Sequence, residues 1–412
     1  MKIGVVSQWY PPEPVFVPGS LADELVARGH EVRVLTSFPS YPGGHIYPGW
    51  RQRWQDTTTT GALTVRRVPQ RASHGRSAAG RTVSYLSFAA TSTLAALSYL
   101  AHVDALYVYH PPATTFAAAA ALRRLRRTPT LLHVQDVWPE AVTASGLAPA
   151  GVTGRFLAAG LTSVMRRLYQ GASAIAVTAP SMQQLVVERG AAPERVRTVL
   201  NWTDESIFRP VPVTAQARAA IGHRGRCTVM FAGNMGRFQH LETAVRAAAA
   251  VRDHLDLVLV GSGVDQEQVI RLAGTLGASN VRFLARRPPE QMAELYAAAD
   301  YQLVCLRDLP ALRATIPSKL QAALCCGSPV VAAVAGDAAR LVETAGVGLT
   351  CPPEDWQALA DRFSQVAGWS RERRADLSAR ALRLYRERMA LQVGVDQIED
   401  MLMKMTHEGA RR

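Results

Sequence analysis

The sequence has few of the residue patterns that hold metals, form disulfide bonds or cross membranes. Only five of its 412 residues are cysteine and none has CxxC spacing, so neither a zinc site nor a redox dithiol is indicated. An odd number of cysteines is typical of a reducing compartment. The best candidate for a membrane helix, residues 83–101, contains six serines and threonines, whereas a membrane helix needs roughly 20 consecutive apolar residues.

Composition and length exclude further classes. Apolar residues make up 48% of the chain and charged residues 19%, which excludes an intrinsically disordered protein. The apolar run near the N-terminus, residues 3–6, is too short for a signal peptide. A chain of 412 residues is too long to fold around a single hydrophobic core. We therefore predict a cytoplasmic, enzyme-sized globular protein of two or three domains.

The charge is strongly positive, but its distribution does not favour nucleic acid. The formal net charge is +13, and 43 of the 46 basic residues are arginine, a bias that a G+C-rich coding sequence explains. Basic chains attract phosphates, nucleic acids and anionic membranes alike. The arginines are scattered, and no helix-turn-helix, RNA-binding or zinc-finger pattern occurs, so we predict no nucleic-acid partner.

Short β-branched segments alternate along the chain with alanine- and leucine-rich segments of helical periodicity. The predicted strands are Lys2–Val6, Glu31–Thr36, Leu63–Val68, Ala105–Tyr109, Thr130–Val134, Ala174–Val177, Val196–Leu200, Thr228–Phe231, Asp256–Val260, Val281–Leu284, Tyr301–Leu306, Pro329–Ala333 and Gly348–Cys351. This alternation predicts parallel sheets covered on both faces. Two such series, separated by the polar segment Asn201–Val213, predict an α/β protein with two doubly wound, Rossmann-like domains.

Ligands of doubly wound domains bind beyond the carboxyl ends of the strands, so the residues after each predicted strand are the candidates. The segment VLVGSG, residues 258–263, resembles a dinucleotide fingerprint, but Gln266 stands where a third small residue is required. We interpret this segment as a tight strand-to-helix turn. No GxxxxGK[ST] or GxSxG motif occurs, which argues against a P-loop NTPase and an α/β-hydrolase.

Two segments of the second half have the composition of a phosphate site. FAGNMGRFQHLE, residues 231–242, places two glycines between a strand and a helix, where free amides and the helix dipole favour a phosphate. TIPSKL, residues 315–320, leads into a helix and puts Lys319 at its positive end, where a cation favours a bound anion. An ordinary turn and a solvated surface lysine are the alternatives.

Polar residues follow two predicted strands of the first half. His110 ends the strand of DALYVYHPP, either as a satisfied loop residue or as a neutral imidazole at a reacting centre. His133, Asp136 and Glu140 occur in HVQDVWPE, at the next strand end. This mixture of residue types could hold a metal, but the scattered spacing disfavours one.

These segments together resemble the GT-B glycosyltransferases of family 4, over nearly the whole chain. KIGVVSQWYPPEP, YVYHPP, HVQDVWPE, VLNWTDESIF, FAGNMGRFQ, LVGSG and TIPSKL occur in the expected order, most similar to the bacterial polysaccharide branch of colanic-acid and O-antigen transferases. The resemblance implies a sugar transferase of EC class 2.4 that uses a nucleotide-diphosphate donor, retains the anomeric configuration and needs no metal or other cofactor. It implies two Rossmann-like domains facing a cleft.

The resemblance also implies domain bounds and residue roles. It implies an acceptor domain over 1–203, a donor domain over 204–385 and a C-terminal helix, 386–412, that packs back on the first domain. His110 matches the histidine beside the donor sugar, and we place His133 and Asp136 on the acceptor side. The implied donor-binding residues are Gly19, Ser20, Asn234, Gly236, Gln239, Arg286, Arg287, Thr315, Ile316, Pro317, Ser318 and Lys319.

The sequence departs from the family where paired glutamates are usual, because Ala314 and Ala322 occupy those positions. The donor base, whether uridine, guanosine or thymidine, and the acceptor, whether lipid-linked or a small molecule, stay open. Helices near 81–100 and 114–127 are candidates for peripheral membrane contact. The alternatives in function are a sugar-nucleotide epimerase of the same fold, a non-catalytic binding or partner protein, and a dehydrogenase.

Overall fold

The computed structural model describes residues 1–54, 56–73, 78–138 and 152–410. The chain divides into a first unit, Met1–Leu200 with Leu391–Arg412, and a second unit, Asn201–Ala390. The bounds inferred from the sequence, 203/204 and 385/386, lie within five residues of these limits.

The strands, in chain order, are β1 Lys2–Val6, β2 Glu31–Ser37, β3 Asp56–Thr60, β4 Leu63–Val68, β5 Ala105–His110, β6 Thr130–Val134, β7 Ala174–Val177, β8 Val196–Thr198, β9 Cys227–Ala232, β10 Leu255–Val260, β11 Val281–Leu284, β12 Tyr301–Cys305, β13 Val330–Ala333 and β14 Gly348–Cys351. The helices within the described residues are α1 Phe16–Ala27, α2 Ala78–Tyr99, α3 Phe116–Arg126, α4 Val152–Gly171, α5 Pro180–Glu188, α6 Ala215–Ala220, α7 Leu241–Ala250, α8 Gln266–Thr275, α9 Met292–Ala298, α10 Pro310–Arg313, α11 Ser318–Cys325, α12 Asp337–Ala345, α13 Trp356–Ala367, α14 Arg371–Arg388 and α15 Leu391–Ala410.

Each unit is built around one sheet. The first sheet has the order β3-β4-β2-β1-β5-β6-β7-β8 and the second β11-β10-β9-β12-β13-β14. All neighbouring strands are parallel except β3 and β4. The order reverses between β1 and β5 and between β9 and β12, as in doubly wound folds, where ligands bind beside the reversal. The prediction of two Rossmann-like domains is confirmed.

Strand β3 was not predicted. It is the antiparallel edge of the first sheet, and its sequence, DTTTT, is polar and exposed on both faces beyond Asp56. The apolar alternation that marks a half-buried strand is therefore missing. The two-residue turn to β4 contains Gly61 with a φ of +58°, a conformation that favours glycine.

The sequence-based strand bounds agree with the other strands to within two residues, because most of these strands are buried runs rich in apolar residues. The C-terminal stretch is helical and consists of two helices, α14 and α15. Helix α15 belongs to the first unit and packs against α1, β5, β6 and β7. There the Arg28 guanidinium lies 2.7 Å from the Glu399 carboxylate. None of the helices over the described ranges is long and apolar enough to span a membrane.

An ion cluster fixes the amino end of the second sheet. Asp256, at the start of β10, is completely buried and accepts hydrogen bonds from Arg224, Arg226 and Arg282. Burial alone would raise the pKa of Asp256, but the three arginines hold it well below its ordinary value of 3.8. This cluster lies at the edge opposite the strand ends where ligands bind, so we assign it to stability.

Replacing Asp256 with alanine should lower the free energy of unfolding by about 3 kcal/mol, because removing one partner of a buried ion pair leaves uncompensated charge. Urea unfolding measures this loss. In the wild type, the contribution of Asp256 should be complete above about pH 4 and lost as the pH falls, because its folded-state pKa is depressed. Glu267→Ala, which breaks an exposed pair with Arg271, should change stability by less than about 0.5 kcal/mol. Equal stabilities of the two variants would contradict this assignment.

Candidate functional site

In the second unit, Lys319 and Gly233 meet at the carboxyl ends of the strands. Gly233 directly follows β9 with a φ of +136°, and Lys319 lies in the first turn of α11. A Cβ atom at position 233 would lie 2.8 Å from the Lys319 Cε and 3.1 Å from its Nζ. Only glycine therefore leaves room for the lysine side chain to cross this loop.

The Lys319 ammonium has no counter-charge in the described part of the chain. No hydrogen bond or ion pair is found for it, and its Nζ lies 5.0 Å from the centre of the Phe231 ring. Burial lowers the pKa of Lys319 to about 8. It is still mostly protonated at pH 7, and an anion placed beside it would raise that pKa.

Helix α11 starts without a side-chain cap. Its N-cap is Pro317, which has no side-chain atom to accept a hydrogen bond from the free amides. The Thr315 hydroxyl donates to the Ala311 carbonyl at 3.0 Å, while Ile316 is buried and Ser318 exposed. Uncapped amides at a helix N-terminus favour an anion, as the Lys319 charge does.

The loop between β9 and α7 forms its own turn. The Gly236 amide donates to the Gln239 side-chain carbonyl at 3.1 Å, and a Cβ at position 236 would lie 2.7 Å from the Asn234 side-chain nitrogen. His240 adopts a φ of +45° before α7 and contacts the Thr243 hydroxyl at 2.8 Å. The three predicted residues of this loop are thus brought together, with the Gly236 amide already paired.

The glycines of VLVGSG are explained by packing. A Cβ at Gly261 would lie 2.0 Å from the Gly233 carbonyl oxygen, and one at Gly263 would lie 2.3 Å from that of Met235. The Met235 amide donates to the Ser262 carbonyl at 2.9 Å. The loops after β9 and β10 therefore touch backbone to backbone, which agrees with the interpretation of a tight turn.

The remaining predicted donor residues lie elsewhere on the same edge. Arg286 and Arg287 follow β11, two strands from β9, and Arg286 is exposed. Their role stays a prediction. Ala314 and Ala322 are both buried, at 3% exposure, so the glutamates usual at those positions have no polar substitute at the same place.

In the first unit, His110 ends β5 and is completely buried. Neither ring nitrogen has a hydrogen-bond partner in the described structure, and burial lowers the pKa of His110 to about 4. The imidazole is therefore neutral at pH 7, with a donor and an acceptor available. The Trp138 ring lies against it, with the ring centres 5.5 Å apart.

His133 and Asp136 differ in accessibility. His133 is buried within β6, and its Nδ1 lies 2.7 Å from the Tyr107 hydroxyl. Burial lowers the pKa of His133 to about 3. Asp136 is exposed, two residues past β6, although surrounding protein raises its pKa. Their acceptor role stays a prediction, and Glu140 lies outside the described residues.

The family resemblance implies that Gly19 and Ser20 lie in a loop, but the structure places both inside α1, which begins at Phe16. Pro18 lies in the first turn, where a proline costs the helix no hydrogen bond. A Cβ at Gly19 would lie 2.5 Å from the Pro11 ring, and the Ser20 hydroxyl donates to the Phe16 carbonyl at 3.0 Å.

Sequence reasoning missed two features of this edge. Glu13 is buried and accepts hydrogen bonds from the amides of Tyr10, Ser40 and Tyr41, which ties the loop after β1 to the loop after β2. Burial raises the pKa of Glu13, and these three bonds oppose the rise. Its position in the loop after β1 was the available signal. The second missed feature is a set of aromatic rings around Trp138.

No group of three or more histidine, cysteine, aspartate or glutamate side chains within the described ranges is arranged to hold a metal ion. The five cysteines are buried and free.

Two family models match the chain. Residues 16–202 match the model described as a glycosyl transferase 4-like domain, and residues 226–368 match the model described as glycosyl transferases group 1. These matches correspond to the first and second units respectively.

Individual proteins similar to this chain include glycosyltransferases and solved structures of the same fold. The chain is 29% identical to a putative colanic acid biosynthesis glycosyl transferase, WcaI, of Escherichia coli, over 89% of this chain and 92% of that protein. It is 32% identical to a D-inositol 3-phosphate glycosyltransferase of Acidothermus cellulolyticus, over 42% and 40%. Sucrose-phosphate synthase of Thermosynechococcus elongatus shares the fold, with a TM-score of 0.73 at 18% identity over 99% of both chains. So does Anabaena HepE, solved with UDP-glucose, with a TM-score of 0.68 at 18% identity over 98% of this chain and all of that one.

Proposed function

The chain belongs to the group 1 glycosyltransferases, and we propose that it transfers a sugar, with retention and without a metal ion, from a nucleoside-diphosphate sugar. The enzyme class follows from the family, whereas the donor type and the stereochemistry are our inference. HepE was solved with UDP and with UDP-glucose, which supports a nucleotide-sugar donor here. The observation that carries the proposal is the unpaired Lys319 ammonium over Gly233.

The leaving group of this reaction is a nucleoside diphosphate, so negative charge develops on its β-phosphate. A cation and uncapped helix amides already in place stabilise that charge without reorganising. Lys319 and the start of α11 are such a set. In other transferases a divalent ion supplies this charge. The proposal of a metal-independent reaction rests on Lys319 taking that role.

His110 is proposed to lie against the donor sugar, as the family resemblance implies. A neutral, buried imidazole with both nitrogens free can accept a hydrogen bond from one hydroxyl and donate another to a second group. Because such a group stays neutral above about pH 5, it orients the sugar rather than transferring protons between pH 6 and 8.

We also propose peripheral contact with an anionic membrane at its cytoplasmic face, as a lipid-linked acceptor would require. Val83, Leu86, Leu94 and Leu97 lie on one face of α2 and are exposed, Leu94 to 61%. Helix α3 packs beside α2 and ends in exposed arginines. Residues 57–135 contain nine arginines and a single acidic residue, Asp104. Apolar side chains flanked by cations fit the surface of an anionic bilayer.

Lys319→Ala should weaken the binding of the nucleoside diphosphate by roughly 10- to 100-fold, because a charge-assisted contact contributes about 1.5–3 kcal/mol. His110→Ala should leave this affinity nearly unchanged and lower the rate of transfer. Calorimetric titration with UDP, GDP and dTDP measures the affinities. Wild-type affinity should also fall as the pH rises through about 8, where Lys319 loses its proton. Equal loss of affinity in both variants would contradict the division of roles.

Sugar transfer, or donor hydrolysis, should continue in excess EDTA, because the proposed charge on the leaving group is met by Lys319 and helix amides. The measurement compares initial rates with and without the chelator. Activity that is lost with EDTA and returns on adding Mg²⁺ or Mn²⁺ would refute metal independence.

The protein should co-sediment with vesicles that contain phosphatidylglycerol, and less with pure phosphatidylcholine or at high salt. Leu86→Asp and Leu94→Asp should each weaken binding at least roughly tenfold. Each variant removes one leucine that would be buried in the bilayer, and the added aspartate is repelled by the negative lipid headgroups. Val264→Asp, at a 66% exposed site in the second unit, is the matched control. Vesicle binding that is absent from the wild type, or unchanged in the α2 variants, would exclude this surface.

A further inference from the structure

Five aromatic rings form a continuous path over the carboxyl edge of the first sheet. The path runs from Tyr41 to Trp9, Tyr85, Trp138 and His110, with successive ring centres 5.1, 6.4, 6.4 and 5.5 Å apart. Every one of these contacts joins residues far apart in the sequence. We call these five residues the aromatic path.

The fold positions the rings of the aromatic path, and the described residues leave most of them partly exposed. Trp9 follows β1, Tyr41 follows β2 and Trp138 follows β6, while Tyr85 belongs to α2. These four side chains are half-buried, in contrast to the completely buried His110. Neighbouring rings are tilted by 39–72° to one another, so the path offers several ring faces and edges rather than one flat stack.

A carboxylate stands beside the aromatic path. Asp136 is exposed and lies two residues before Trp138 in the loop after β6. Burial raises the pKa values of Tyr41, Tyr85 and Tyr109, and the Asp136 charge adds to the rise. The backbone before Asp136 is held against the end of β5, because the Gln135 amide donates to the His110 carbonyl at 2.9 Å. The cations in the neighbourhood are Arg81, whose charge acts on Tyr85, and Arg189, which donates to the Trp138 carbonyl at 2.6 Å.

We propose that the aromatic path and Asp136 form the subsite for the sugar ring of an uncharged saccharide acceptor. This inference rests on the proposed transferase function and adds the class of acceptor. The C–H face of a pyranose stacks on one ring face of the path, that of Trp9, Tyr85 or Trp138, because these faces carry negative charge density, and the neighbouring rings border the sugar. Asp136 accepts hydrogen bonds from the hydroxyls. His110, at the end of the path, places the acceptor beside the residue assigned to the donor sugar.

The chemistry of the subsite favours a neutral ring over a phosphorylated one. Several apolar ring faces and a few directed polar groups are the usual composition of a small-molecule site. A phosphate at the same place would meet the Asp136 carboxylate at close range, and like charges repel there. Among the relatives are D-inositol 3-phosphate glycosyltransferases, so the two acceptor classes are distinct and testable alternatives.

The test is saturation-transfer difference NMR on the whole protein with methyl glycopyranosides of glucose, galactose, mannose and N-acetylglucosamine. At least one should receive saturation, strongest on the C–H protons of one ring face. Trp138→Ala and Trp9→Ala should weaken its binding roughly three- to tenfold, whereas Trp138→Phe, which keeps a ring, should largely restore it. Trp54→Ala, at an exposed tryptophan of the same unit outside the aromatic path, is the control.

Asp136→Ala guards against misfolding of the tryptophan variants, because the Asp136 side chain is exposed. It should weaken sugar binding while leaving thermal stability unchanged. The inference is overturned if no pyranoside binds, if the aromatic-path variants and Trp54→Ala bind equally, or if D-inositol 3-phosphate binds more tightly than every pyranoside.

Thermal shifts with UDP, GDP and dTDP on the same samples separate this inference from the proposed function. Nucleotide binding without sugar binding would overturn the acceptor subsite and leave the transferase proposal standing. Sugar binding without any nucleotide shift would support the subsite and count against the donor proposal.

Discussion

The second unit depends on the contact between two strand ends whose backbones touch. Gly233 and Gly261 follow neighbouring parallel strands, and the Gly233 carbonyl occupies the space that a Cβ at position 261 would need. Both have φ values near +135°, which side chains rarely adopt. Because this contact fixes the loop after β9, it also fixes the gap through which Lys319 reaches the strand ends. The lack of a Cβ at Gly261 thus allows the backbone contact, and the lack of a Cβ at Gly233 leaves space for the Lys319 side chain.

A half-buried lysine without a partner is unfavourable unless something else binds it, because desolvation acts against its charge. Elsewhere in the same unit a buried charge is paired within the protein, because Asp256 accepts hydrogen bonds from three arginines at the opposite edge of the sheet. The two edges therefore differ in kind. One has its charge compensated within the protein, and the other has a charge that a ligand must compensate, which is the expected difference between a stabilising cluster and a binding site.

The sequence was sufficient to predict the fold, because alternating buried strands and helices carry a local signal in each segment. It located His110 at the end of a strand and Lys319 at the start of a helix that follows another strand. It did not predict β3, whose threonines have no apolar face, and the family resemblance wrongly implied a loop for Gly19 and Ser20, which lie in α1. The aromatic path was also missed, because Trp9, Tyr85 and Trp138 belong to three separate segments, and only the order of the strands brings them together.

The two sheet edges differ in the ligands they suit. The edge of the second unit presents a cation and helix amides, and its described residues place no carboxylate on Lys319. The edge of the first unit presents aromatic rings, a neutral histidine and the Asp136 carboxylate. A sugar transfer needs both kinds of surface, because the leaving group gains charge while the acceptor must stay neutral until its hydroxyl reacts. Charge alone therefore favours the donor at one edge and the acceptor at the other, because a diphosphate is attracted by Lys319 in the second unit and repelled by Asp136 in the first.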